Sequence, residues 1–263
     1  MIDPERPRHE LLISAAGDTD IGRRPHNEDA VLLRPNLGLF VLADGAGGHN
    51  AGNVASALAT TSVAHFYERT QAAAATWPDF DGVGLHTGAR RLATAIQRAN
   101  QEIVEIARSS AQKKGMGTTV VAMHFDDEAI TIAHVGDSRC YRFRQGELKQ
   151  ATEDHSLLND YKRMAVLTPE EEANFPHKNI IVRACGLKDN VLVDLQREIP
   201  LPGDIYILCS DGLSGEVTDA QICDIMVQEN QDLVAMVARL IRTACENGGK
   251  DNVTCIAARV EEV

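Results

Sequence analysis

The chain has 263 residues, 44% of them apolar and 24% charged, with a formal net charge of −12. That is the balance of a soluble globular protein with enough chain to bury a sizeable core. The acidic surplus argues against nucleic-acid backbone binding, which needs a basic surface. Aromatics make up only 4%, so the core is expected to rest on Leu, Ile, Val and Ala, and the six scattered cysteines contain no Cys-x-x-Cys pair. Neither a zinc site nor a disulfide framework is indicated. No apolar stretch approaches membrane-spanning length and the start lacks a signal-peptide pattern, so a soluble cytoplasmic protein without membrane contact is expected.

In chain order, strand-like segments read at about 11–16, 30–34 and 38–43. A helix follows from about 51 to 73, with Val54, Ala55 and Leu58 among its buried positions. After the Trp77-Pro78-Asp79 break, Leu92, Ile96, Ala99, Ile103 and Ile106 recur at spacings of three and four, which puts them on one helix face. Thr118–Phe125 and Ala129–Val135 look like strands joined at Asp126-Asp127-Glu128. The two-residue connection Gly136-Asp137 before Ser138–Phe143 is a hairpin signal, and Gln145-Gly146 is a further turn into Glu147–Ala151. The expectation is an antiparallel meander, which excludes a purely parallel sheet. Residues 152 to 190 lose apolar periodicity and read as short helices in a surface segment. Strands return at about 191–199 and 204–210, helices near 218–228 and 230–246, and a last strand at 252–260. Asn247-Gly248-Gly249 stops the second of these helices.

Four acidic groups stand in glycine-rich or turn-like settings: Asn27-Glu28-Asp29, Asp44-Gly45-Ala46-Gly47-Gly48-His49, Ser210-Asp211-Gly212 and Lys250-Asp251-Asn252. Two follow apolar runs that read as buried strands and the last precedes one. Ionised carboxylates at such places are costly unless something offsets their charge. Divalent hard cations would do so and would make chemistry possible. Asp44 is the bridging candidate, because the glycines after it let backbone and ions approach closely. Asp211 and Asp251 would complete one ion's shell, and Glu28 and Asp29 would serve the other. Because these groups come from both ends of the chain, a single domain over 1–263 is expected.

The ordered series Arg24-x-x-Asn27-Glu28-Asp29, Asp44-Gly45-Ala46-Gly47-Gly48-His49, Gly115-Met116-Gly117-Thr118-Thr119, Gly136-Asp137-Ser138-Arg139, Asp154-His155-Ser156, Ser210-Asp211-Gly212-Leu213 and Asp251-Asn252 resembles the metal-dependent serine/threonine protein phosphatases of type 2C. The matches span residues 22 to 254, and the Gly-Gly-His extension is similar to the bacterial branch. The resemblance implies an α+β fold, a four-layer α-β-β-α sandwich with two central antiparallel β-sheets. It implies two manganese or magnesium ions held by Asp44, the Gly45 carbonyl, Asp211 and Asp251, with Glu28 and Asp29 completing the second ion's shell. Asp137 matches the position that helps hold a weaker third ion, and Arg24 the phosphate-binding arginine. One departure is Ala46, where many bacterial relatives carry methionine.

The implied reaction is hydrolysis of phosphoserine or phosphothreonine on proteins by a metal-activated water, in opposition to a serine/threonine kinase. The phosphoproteins served would include that kinase or its substrates. His49 could protonate the departing oxygen, orient a water or cap the following helix. Arg139 reads as an internal ion-pair partner and the Gly115–Thr119 motif as structural. The segment at about 157–185 corresponds to a variable flap beside the cleft, whose Lys162, Arg163, Lys178 and Arg183 could meet a substrate. A catalytically silent phosphoprotein-binding module is the alternative, which the full set of carboxylates disfavours. Nothing suggests an obligate oligomer, so a monomer is expected.

Overall fold

Strands with apolar side chains on both faces need cover on both faces, and the architecture supplies it. The structure is a computed structural model and describes residues 12–47, 51–71, 86–126, 129–176 and 180–261. One sheet runs in the order β1 (Leu12–Asp20), β11 (Val253–Glu261), β10 (Ile205–Cys209), β7 (Arg139–Arg144) and β8 (Glu147–Gln150). The other runs β2 (Asp29–Arg34), β3 (Leu39–Ala46), β5 (Val120–Phe125), β6 (Ile130–Val135) and β9 (Asp194–Glu198), with the short β4 (Gly117–Thr118) paired to the end of β3. Adjacent strands are antiparallel throughout the described residues.

Period-two alternation sorts each strand's side chains between layers. Phe40 and Leu42 of β3 meet Tyr206 and Leu208 of β10 and Ile256 and Ala258 of β11 between the sheets. Leu39, Val41 and Ala43 point the other way, onto helices α1 (Gly52–Arg69) and α2 (Thr87–Ser109). Ile205, Ile207 and Cys209 face α6 (Asp219–Gln228) and α7 (Leu233–Asn247). The result is the α-β-β-α sandwich of an α+β protein. Scarce as they are, aromatics sit at its centre, with Phe125 edge-on to both Phe40 and Tyr206. At one margin Arg142 of β7 reaches across to Glu198 of β9 at 2.7 Å and ties the sheets together.

The helices follow their local signals. On α2, Leu92, Ile96, Ala99 and Ile103 are fully buried as the spacing predicts, and Ile106 is half-buried. A capping box of Thr218 and Gln221 opens α6, and the Asp232 carboxylate accepts from the Val234 and Ala235 N–H groups to open α7. Between β8 and β9 lie the short helices α3 (Leu157–Met164) and α4 (Pro169–Ala173), so the irregular segment reads as expected, and α5 (Asp211–Ser214) follows β10.

The meander does not survive as one unit. β5 and β6 form a hairpin, and so do β7 and β8, where Gln145 and Gly146 both take positive φ (53° and 83°). Gly136-Asp137, however, joins strands of different sheets. It is a corner rather than a hairpin, because β6 finds its second neighbour in β9 and β7 finds its in β10. That corner carries Asp137 to the open end of the sandwich, among the other acidic groups.

Candidate active site

Asp29 and Asp44 face each other in the β2–β3 register. The Gly45 N–H donates to the Glu28 carbonyl at 3.1 Å, which leaves Asp29 and Asp44 as a non-hydrogen-bonded pair, the closer kind of cross-strand neighbour. Both carboxyls continue the inward-facing rows of Phe40 and Leu42 and of Val31 and Leu33, so they terminate the inter-sheet core. Gly45 is required here, since a Cβ would overlap the Gly52 carbonyl. Glu28 is tied down beside it. Its Oε1 accepts from the Gly52 N–H at the start of α1 at 3.1 Å, and its carbonyl accepts from the Ser56 hydroxyl at 2.6 Å.

The opposite sheet contributes the remaining groups. Asp211 begins α5 directly after β10, and Asp251 stands two residues before β11. These two turns touch so closely that a Cβ on Gly212 would overlap the Asn252 carbonyl oxygen. Asn252 then stitches the sheets together. Its Oδ1 accepts from the Glu28 N–H at 2.8 Å, while its amide donates to the Ile21 and His26 carbonyls, both at 3.0 Å. The Thr254 hydroxyl spans the sheets as well, donating to Asp29 Oδ2 at 2.5 Å.

Burial and mutual repulsion raise the proton affinity of the whole group. Burial drives Asp44 well above the usual carboxylate range, and the charges of Asp29, Asp211, Asp137 and Asp251 add to it. Asp29 is pushed up to about 7 by burial, against the pull of hydrogen bonds from Thr254 and Ser210. Asp137 is pushed up to about 7 by burial, with Asp211 and Asp154 nearby. Asp211 is also raised, by burial and then by Asp251, and is relieved in part by a hydrogen bond to Asp44. Asp29 Oδ1, Asp137 Oδ1 and Asp211 Oδ1 are buried without any hydrogen-bond partner. Orphaned buried oxygens in an all-carboxylate and carbonyl donor set suit a hard divalent cation.

Arg24 reaches this end of the molecule from a turn stacked on the Lys250-Asp251 loop, where the Arg23 N–H donates to the Gly249 carbonyl at 2.8 Å. Gly22 holds that turn at φ 59°, and a Cβ there would overlap the Asp251 carbonyl. The half-exposed Arg24 guanidinium donates to Asp251 Oδ2 at 2.6 Å, and this bond raises the pKa of the arginine. A cleft of about 630 Å³ opens beside Asp137, Asp211 and Asp251, and Asn159 and Lys162 of α3 form part of its wall. His49 lies outside the described residues, as does Lys178.

Several residues that the sequence placed only within motifs take specific supporting roles in the structure. The Thr118 hydroxyl and the Thr119 N–H both donate to the Asp44 carbonyl, at 2.9 and 2.8 Å. His155 Nδ1 accepts from the Gly136 N–H at 3.0 Å, and its ring stacks on His134 with centroids 4.5 Å apart. Asp194 meets His155 Nε2 at 3.3 Å and also pairs with Arg183, so the Asp137 corner is braced from the flap side. Arg139 is the internal ion-pair partner expected of it, holding both oxygens of Asp154 at 2.7–3.1 Å. The adjacent threonines were the available signal, since two β-branched hydroxyls after a Gly-x-Gly turn can serve a neighbouring backbone.

The family model for protein phosphatase 2C matches residues 16–256. A serine/threonine phosphatase, Stp, from Listeria welshimeri is 36% identical over 242 residues, covering 90% of this chain and 92% of its own. The solved Mycobacterium tuberculosis serine/threonine phosphatase PstP superposes with a TM-score of 0.83 at 34% identity, over 96% of this chain and 100% of that one. A PstP catalytic domain in complex with two manganese ions superposes at 0.78 and 33% identity, again over 96% and 100%. The chain belongs to the protein phosphatase 2C family, the metal-dependent protein phosphatases.

Proposed function

We propose that the protein hydrolyses phosphoserine and phosphothreonine monoesters on proteins at a binuclear manganese or magnesium centre, opposing a serine/threonine kinase. The observation that carries this reading is the set of three buried, unpartnered carboxylate oxygens on Asp29, Asp137 and Asp211, gathered around Asp44. Asp44 would lie between the two ions, with Asp211 and Asp251 on one and Glu28, Asp29 and the Gly45 carbonyl toward the other. Asp137 would serve a weaker third ion. Bound manganese or magnesium supplies the missing counter-charge and activates water for in-line attack on phosphorus.

The protein's own groups do the rest. The Arg24 fork holds two phosphoryl oxygens and offsets the charge that builds up during attack. Its salt bridge with Asp251 aims it across the metal carboxylates. His49 is the candidate proton donor to the leaving seryl or threonyl oxygen. The whole chain acts as one domain, a cytoplasmic monomer, with the segment at about 157–185 as the flap that meets the substrate. Lys162 on the cleft wall supports that role for the flap. No helix among the described residues is long and apolar enough to cross a membrane.

The test is phosphate release from a phosphothreonine peptide, with and without manganese, for the native protein and Asp211→Asn. The expected result is turnover that requires the metal and falls about a hundredfold or more in the variant. Peptide binding without turnover in any divalent metal would replace the enzyme with a phosphoprotein-binding module.

A further inference from the structure

The β3–β5 ladder is regular only as far as Leu42 opposite Val121. One rung further on, the Thr119 N–H donates to the Asp44 carbonyl at 2.8 Å in the ordinary way. The return bond is not ordinary. The Asp44 N–H donates to the Thr119 hydroxyl, Oγ1, at 3.1 Å, while the Thr119 carbonyl lies 2.8 Å from the Thr118 hydroxyl, whose one proton it shares with the Asp44 carbonyl. The same Thr119 Oγ1 lies 2.7 Å from the hydroxyl of Ser138, the residue after Asp137. With its oxygen accepting from Asp44, the Thr119 hydroxyl has its own proton free to give to Ser138. Thr119 and Ser138 are both almost wholly buried, so water does not substitute readily for either bond. Packing points the same way: a Cβ on Gly136 would come 2.6 Å from the Thr119 methyl, so glycine at the corner admits this threonine.

We propose that Thr119 is a positioning residue of the metal centre, whose single hydroxyl sets the Asp44 backbone and ties it to the Gly136-Asp137-Ser138 corner. This rests on the metal-dependent reading of the site above. Asp44 lies on β3 and Asp137 in the corner between β6 and β7, and among the described residues no backbone bond joins them. Thr119 therefore fixes the separation between the bridging carboxylate and the one proposed for the weaker ion. Valine in its place keeps the branched shape, leaves the Asp44 N–H without this acceptor and cuts the tie to Ser138. Serine keeps the hydroxyl and loses only the methyl.

The experiment compares the native protein with Thr119→Val, Thr119→Ser and Ser138→Ala. Manganese affinity is measured from the EPR signal of the free ion, melting is followed in EDTA, and turnover is assayed on a phosphothreonine peptide. The expected result is a loss of about tenfold or more in manganese affinity for Thr119→Val, about 1.4 kcal/mol. Thr119→Ser should stay within about threefold of the native protein, and Ser138→Ala should lose roughly threefold. Native-like manganese binding in Thr119→Val overturns the proposal. So does equal loss in the valine and serine variants, which would make the methyl packing decisive. A lowered melting temperature in EDTA with unchanged manganese binding shows a purely structural threonine and overturns it too. If the valine variant does not fold, Ser138→Ala decides, and no change in its manganese affinity overturns the proposal. A native protein that binds manganese yet releases no phosphate removes the phosphatase reading and leaves the binding comparison intact.

Discussion

Replacing Asp137 with asparagine should stabilise the metal-free protein, and only at neutral and alkaline pH. The side chain is buried, its Oδ1 has no partner, and its pKa is pushed from 3.8 up to about 7. In the unfolded chain the group ionises near 3.9. Between those two values the folded state holds a proton that the unfolded state has released, so stability falls as pH rises from about 4 to about 7. Above that range both states are ionised and the full penalty persists. A displacement of that size corresponds to roughly 4 kcal/mol at about 1.4 kcal/mol per factor of ten. Asparagine removes the penalty but buries an amide that needs partners of its own, at a cost of about 1–3 kcal/mol. The net expected gain is about 1–3 kcal/mol at pH 8 in EDTA, or a melting temperature higher by roughly 3–8 °C. At pH 4 the native carboxyl is already protonated and the gain should vanish. Urea unfolding at the two pH values, with EDTA and with saturating manganese, measures this, and manganese should reverse the order by favouring the native carboxylate. A variant no more stable than the native protein at pH 8 in EDTA would refute the view of Asp137 as an uncompensated buried charge.

Gly212→Ala should lose about 2–4 kcal/mol of stability, because the new Cβ overlaps a backbone carbonyl that cannot swing away; urea midpoints with unchanged slope would show it. Arg24→Ala should melt within about 0.5 kcal/mol of the native protein, since its ion pair with Asp251 is largely exposed. Its kcat/KM on a phosphothreonine peptide should nevertheless fall about a hundredfold, with lysine recovering only part of it. Asp154→Asn leaves the partly buried Arg139 charge without its two-oxygen partner. It should cost about 2–4 kcal/mol in chemical denaturation, with manganese affinity much less affected.

Much of the site was legible because its carboxylates carry local signals. Asp44 and Asp211 each follow a run of apolar residues and precede a glycine, and both runs are strands covered on two faces, which is why they read as continuous rather than alternating. The helices were legible for a similar reason, since the period of Leu92, Ile96, Ala99 and Ile103 and the Gly248-Gly249 stop after α7 are properties of short stretches. Gly136-Asp137 shows where that kind of reading ends. A dipeptide between two strands looks the same in a hairpin and in a corner between sheets, and only the competing partners β9 and β10 choose between them.

The supporting groups were hidden for the same reason. Thr119 serves Asp44 across 75 residues of chain, and Thr254 serves Asp29 across 225. Nothing periodic marks a hydroxyl for such a task. Local sequence determined which residues could be strand, helix, turn or ligand, because propensity, periodicity and glycine geometry act over a few residues. Tertiary structure alone decided which strands pair and which carboxyls lose their water together. Those outcomes depend on contacts between distant segments, and a carboxylate's affinity for a proton or a cation is set by the charges and burial that such contacts impose.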